Sequence, residues 1–463
     1  MRHFRHLALV LISLAPISVA HADVSVVIGP TSIARGDAVG EKDITVSNGI
    51  FAVAFAVETA PPWGVARGGI VDIAVFRDGE LGYDIASLAD FMPNVWSSWP
   101  TTYQEVTLEK QTASEVVVKT VRDWGEVQLE TTFCIRDGDS KIQIVTSMHN
   151  AGEVNLEGLY SGYVVWPDGG SLFSVPGLLG VNSGAEDEAL ANWSASYGER
   201  WMLGLHAPFS EFVAYDGRDR YLPHDLEAAE TESFEAWLQI ENDGTLAPLV
   251  RAEIDFLELS SGRLSGHVVS DDGKRVARPA VVVSKNGSPY AWTLGDDGAY
   301  EFVLPVGDYE VYATAAGYAQ GATKTVSVSA SGETRIDFDD VRPPGQIEIK
   351  VTEEDSGDGL DASISIRSGN KPLIGYFGKN RFFTELHDVG KITEEIAPGA
   401  YVFEISAGGG FTTKPQLVEV VVEPGESHAL NSVIAVTASP QERGWYSADL
   451  HHHSDVLDGF TEA

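Results

Sequence analysis

Residues 262–287 read GRLSGHVVSDDGKRVARPAVVVSKNG, and residues 294–318 read LGDDGAYEFVLPVGDYEVYATAAGY. Gly262, Gly266 and Val268 fall at even spacing in the first stretch, and the aromatic side chains of Tyr300 and Phe302 stand two apart in the second. A period of two places these side chains on one face of an extended strand, which no helix does. Asp271-Asp272-Gly273 and Asp297-Gly298 supply the turn residues at the hairpin ends. The stretch predicts a small antiparallel sandwich with aromatic residues on its buried face.

The positions that carry this pattern are Gly262, Gly266, Val268, the Asp271-Asp272-Gly273 turn, Asp297-Gly298, Tyr300, Phe302, Leu304-Pro305, Gly307, Tyr309 and Gly317-Tyr318. Together they resemble the carboxypeptidase regulatory-like, or transthyretin-like, module. The resemblance implies a seven- or eight-stranded sandwich over residues 261–341 that serves as spacer, scaffold or binding accessory. VRPPG (341–345) then reads as a linker, and IAPGAYVFEISAGGGF (396–411) echoes LPVGDYEVYATAAGY. Gly307 aligns with Gly399 and Tyr309 with Tyr401, so a second, degenerate sandwich is expected over 342–437. Its acidic stretch EEDSGDGLD lacks the spacing of a calcium loop and reads as a solvated hairpin turn.

Upstream, FAVAFAV (51–57), EVVVKTV (115–121), VQLETTFCI (127–135) and KIQIVTSM (141–148) have strand character and are separated by turn residues. They predict an antiparallel meander. Two segments, IASLADFM (85–92) and DLEAAETESFEAW (225–237), are expected to be short helices. Residues 23–260 hold eight of the ten tryptophans, among them Trp96, Trp99, Trp193 and Trp201. Strand density and size make this region resemble the galactose mutarotase-like supersandwich of carbohydrate-active proteins. Exposed tryptophans suit stacking on sugar rings, core packing being the competing role, and His149 and His206 are candidate acid and base groups for a sugar. The expected architecture is therefore mainly β: a large N-terminal β-sandwich followed by two small ones.

With 463 residues, about three domains are expected at roughly 150 residues each. A formal net charge of -37 opposes binding to nucleic acid or anionic lipid. Residues 1–22 carry Arg2 and Arg5, a short apolar core and Ala20-His21-Ala22, the pattern of a cleaved signal peptide rather than a membrane anchor. A secreted or periplasmic protein is expected. Cys134 is the single cysteine, so no intrachain disulfide can form, and an inert packed thiol is its expected role.

The densest set of metal-type ligands is SADLHHHSD near the C-terminus. Strand parity puts Asp449, His451 and His453 on one face and His452 on the other, so two imidazoles reach one point. Trp445, Asp449-Leu450-His451, His453-Ser454 and Asp458-Gly459 are similar to the opening motif of the PHP superfamily of metallohydrolases. The domain order resembles its exported CehA/McbA-like branch, which cleaves ester or carbamate bonds. The resemblance implies that His451, His453 and Asp458 ligate divalent metal (zinc, iron or manganese), that Asp449 orients a histidine, and that residues 438–463 open a (β/α) barrel. Ten residues follow His453, too few for that barrel, so the chain itself is expected to be inactive, the N-terminal part of a hydrolase of small-molecule esters. The alternative is a complete multi-sandwich protein that binds carbohydrate or acts as a scaffold.

Overall fold

Period-two patterning does become layered sheet almost throughout. The computed structural model describes residues 24–96, 105–174, 192–408, 412–438 and 443–445, and among them the chain is mainly β with one α-helix. Residues 1–22, expected to be a signal peptide, lie outside the described part. Among the described residues no helix is long and apolar enough to cross a membrane.

Two sheets form the N-terminal sandwich. A nine-stranded sheet runs in the order Ser25–Ile28, Ile44–Ser47, Phe51–Phe55, Ile70–Arg77, Ala86–Met92, Leu156–Pro167, Asp219–Leu226 and Phe212–Ala214, with Glu80–Leu81 paired off Ile70–Arg77. Facing it, an eight-stranded sheet centres on Thr231–Glu241, Lys141–Asn150, Val127–Arg136 and Glu115–Asp123, all antiparallel neighbours. Alternation sends Phe133, Ile142, Ile144, Phe234 and Leu238 inward, where they meet Phe51, Phe55, Phe91 and Tyr163 from the opposite sheet. Ring pairs cross the interface, Phe55 with Phe133 at 5.1 Å and Phe91 with Phe234 at 5.0 Å. Arg122 and Asp90, both buried, tie the sheets together through a 2.6 Å ion pair.

Two sequence expectations need correction here. The segments at 115–121, 127–135 and 141–148 do form a meander, but 51–57 belongs to the facing sheet. Neither expected helix forms: Ala86–Met92 and Thr231–Glu241 are strands. Ala86–Met92 is covered on both sides, Ala89 and Phe91 facing the main core and Leu88 and Met92 a smaller outer cluster, so its run carries no clean alternation. In the other segment Phe234, Ala236 and Leu238 alternate with Glu235 and Trp237, and pairing on both edges overrides its Glu/Ala composition.

The helix instead spans Ala247–Phe256 and leads into the second sandwich. There Ser261–Ser270 pairs antiparallel with Ala299–Pro305 and parallel with Glu333–Arg335, opposite a sheet ordered Ser288–Leu294, Ala280–Lys285, Gly307–Thr314 and Lys324–Val328. The third sandwich repeats that plan: Gly345–Glu353 pairs antiparallel with Lys391–Ile396 and parallel with Ser427–Ile434, opposite Arg381–Phe383, Ala362–Ser368, Gly399–Ala407 and Gln416–Val422. Tyr309 and Tyr401 are both buried, and each donates its hydroxyl to a carbonyl four residues upstream, Pro305 at 2.8 Å and Ala397 at 2.6 Å. The acidic stretch at 353–361 is the turn linking Gly345–Glu353 to Ala362–Ser368, and its two flanking strands lie in different sheets.

The three sandwiches meet at one joint. Leu249 of the helix seats on Gly204, where any Cβ would overlap its Cδ2. Trp292 Nε1 and Tyr376 OH, from the second and third sandwiches, both donate to the Gly244 carbonyl, at 2.9 and 3.0 Å. Gly375 N donates to Tyr197 OH at 3.1 Å.

Candidate functional site

On the strand Leu156–Pro167, Tyr163 and Val165 face the core, so Val164 and Trp166 project from the outer side of the nine-stranded sheet. Val164 is register partner to Asp219 on the next strand. Asp219 is fully buried, and both its oxygens are engaged. Trp166 Nε1 donates to Oδ1 at 2.9 Å, while Trp96 Nε1 and Tyr221 OH donate to Oδ2 at 2.7 Å each. Burial raises the pKa of this carboxyl, against the three hydrogen bonds that favour its charged form. One buried carboxylate therefore fixes the polar edges of two indoles.

Trp63 stands beside these rings, 5.2 Å from Trp166 and 6.0 Å from Trp96, and Tyr215 lies 5.4 Å from Trp166 on another side. The Arg218 guanidinium sits 4.2 Å from the centre of a Trp166 ring. Trp63 is 57% exposed and Tyr215 44%, so aromatic surface faces solvent rather than the core. Four non-glycine residues at this surface, Trp63, Val95, Tyr215 and Asp216, have φ between 49° and 58°. Such left-handed backbone costs about 1–3 kcal/mol per residue and concentrates where a surface is held for binding. Pro61 and Pro62 set Trp63 on its turn. The exposed Trp63 and Tyr215 rings offer flat apolar faces suited to the C–H groups of a sugar, while Arg218 lies over the face of the partly buried Trp166.

The sequence-stated candidates divide as follows. Trp96 belongs to this surface. Trp193 (0% exposed) and Trp201 (6%) are core residues, and Trp99 lies outside the described residues. His206 is buried, stacked on Trp237 at 4.5 Å, and donates Nε2–H to Gln239 Oε1 at 3.1 Å; burial pushes its pKa down to about 3. It is neutral at physiological pH. His206 pairs with Trp237 and His149 with Thr231, six residues apart along the intervening strand, roughly 20 Å at 3.4 Å per residue. They therefore do not form an acid–base pair. Cys134, half-buried, donates to Glu115 Oε1 at 3.1 Å; burial and this contact push its thiol up to about 11 and keep it inert. Asp449, His451, His453 and Asp458 lie outside the described residues. Among the described residues no three acidic, histidine or cysteine side chains are placed to hold a metal ion. Trp63, Trp166, Tyr215 and Asp219 escaped the sequence reading, although the Pro-Pro-Trp-Gly turn at 61–64 marks an aromatic residue set on a surface turn.

With this geometry established, the chain can be set beside known proteins. Residues 263–339 match the carboxypeptidase regulatory-like domain. The match coincides with the second sandwich and agrees with the reading of its turn and aromatic positions. Among solved structures, a streptococcal ancillary pilin is 13% identical, with 53% of this chain and 81% of that chain covered at a TM-score of 0.26. The minor pilin of Streptococcus agalactiae is also 13% identical, covering 39% of this chain and 98% of that one at a TM-score of 0.27. An alpha-galactosidase from Lactobacillus brevis is 10% identical, covering 49% and 44% at a TM-score of 0.27. TM-scores this low carry no functional argument. Comparison with curated proteins gives no match.

Proposed function

We propose that the chain is an exported array of β-sandwiches that binds carbohydrate on the outer face of its large sandwich, the two smaller sandwiches acting as spacer and scaffold. The observation that supports this is the solvent-facing cluster of Trp63, Trp96, Trp166 and Tyr215, braced by Asp219. A surface that leaves the Trp63 and Tyr215 rings in water on a strained backbone, packed against indoles fixed by Asp219, suits a ligand that covers them. Titration of the purified chain with neutral oligosaccharides by calorimetry is the test. Trp63→Ala is expected to weaken binding about tenfold, equivalent to 1.4 kcal/mol. Unchanged affinity in this variant, with the fold intact, would overturn the proposal.

A second reading concerns the C-terminal motif and is compatible with the first. Asp449-Leu450-His451, His453-Ser454 and Asp458-Gly459 favour the β-array as the accessory part of a PHP-type hydrolase of phosphate, carboxylic or carbamic esters. In that reading His451, His453 and Asp458 belong to a site for zinc, iron or manganese, and Asp449 orients one of the histidines. Sequencing the coding region beyond codon 463 tests it: further His and Asp clusters at strand-like intervals support the reading, and a stop codon conserved among independent isolates contradicts it.

A further inference from the structure

The opposite face of the large sandwich carries a groove that the tryptophan cluster does not reach. Lys141 and Gln143 project from Lys141–Asn150, and Ser233, Glu235 and Trp237 from Thr231–Glu241, all on the side of the eight-stranded sheet turned away from the core. Gln143 and Trp237 are directly opposed register partners. With Arg136, Asp139 and Phe256 they line a groove of about 530 Å³, within the usual size range of small-molecule sites.

The lining has a definite chemistry. Trp237 is held flat against the neutral His206, with Phe256 5.2 Å away and the Lys141 ammonium 5.9 Å from the ring centre. Its indole N–H is buried without a hydrogen-bond partner, so the ring offers the groove its apolar face and edge rather than a donor. Two cations, Arg136 and Lys141, are matched by two carboxylates, Asp139 and Glu235. A charge-balanced wall rich in donors and acceptors around an aromatic floor suits a neutral polyhydroxylated ring rather than an ion or a lipid.

We infer that this groove is a second sugar site, for one or two neutral pyranose rings, so that one chain holds two glycan segments on opposite faces of one sandwich. The inference of two-sided binding rests on the carbohydrate reading of the tryptophan cluster; the groove stands on its own residues. Calorimetric titration of the full chain with neutral xylo-, cello-, manno- and galacto-oligosaccharides, beside an oligogalacturonate, tests it. Two sites per chain are expected, with Gln143→Ala and Trp237→Ala each weakening one of them about tenfold or more and leaving the Trp63-dependent site unchanged. Gln143 is exposed, so its variant reports on binding even if Trp237→Ala fails to fold. A single site per chain, unmoved by Gln143→Ala, overturns the groove and spares the first proposal. A site lost with Gln143→Ala beside a Trp63→Ala variant of full affinity keeps the groove and sinks the first proposal. Preference of the groove for the oligogalacturonate overturns the neutral ligand class.

Discussion

Asp219 and Asp72 are both buried carboxylates of the nine-stranded sheet, and their surroundings give them different behaviour. Asp219 receives three hydrogen bonds from uncharged aromatic donors. Asp72 accepts the backbone N–H groups of Asp37 and Ala38, and it also faces Asp37 and Asp168 as like charges. Burial first, and then those charges, raise its pKa to about 7; the nearby Asp84 shifts in the same direction. Because the folded value lies above the unfolded one, the stability Asp72 contributes is complete below about pH 4 and is lost as pH rises through about 7. Wild type should therefore lose stability relative to Asp72→Asn between pH 4 and pH 8, read by urea melts of both chains. A difference that stays constant with pH would refute the shared-burial account. None of this was legible in the sequence: Asp72 sits in the apolar run IVDIAVF, and only the folded sheet shows which carboxylates lie near it.

At the scale of elements, the second sandwich was readable because its information is local. Period-two aromatics and turn residues at hairpin ends need no distant partner to be understood. Its likeness to the third sandwich was readable from Tyr309 and Tyr401, whose hydroxyls make the same four-residue reach. The two segments expected to be helical failed for a non-local reason: Ala86–Met92 is enclosed on both faces, and Thr231–Glu241 is paired on both edges, neither of which composition reveals. The real helix, Ala247–Phe256, was missed, although Pro248 in its first turn is a legible start signal. Its role is to close the joint. Leu249, fully buried, packs on Gly204 of the large sandwich and belongs to the core cluster that continues into Val281, Trp292 and Phe302. Leu249→Ala should cost about 2–5 kcal/mol. Limited proteolysis should then cut the variant near 242–260 faster than wild type. Equal cutting rates would mean that the helix does not hold the sandwiches together.

For the whole molecule, charge and strand content restricted the possibilities without selecting a ligand. The tryptophan count in the N-terminal region indicated sugar stacking or core packing, and the fold divides the residues: Trp193 and Trp201 lie in cores, Trp63, Trp96 and Trp166 in a cluster on the outer face with Trp63 exposed. That division depends on which side of a sheet each strand presents, which sequence parity leaves open until the layers are known. In the proposed function the sandwich interior is scaffold and its outer faces bind the ligand. The most direct test of this account is calorimetric titration of the full chain and of its Trp63→Ala variant with neutral oligosaccharides. The account predicts saturable binding by the wild type and about tenfold weaker binding by the variant. Absence of binding by the wild type to every neutral oligosaccharide, or equal affinity in the two chains, would contradict it.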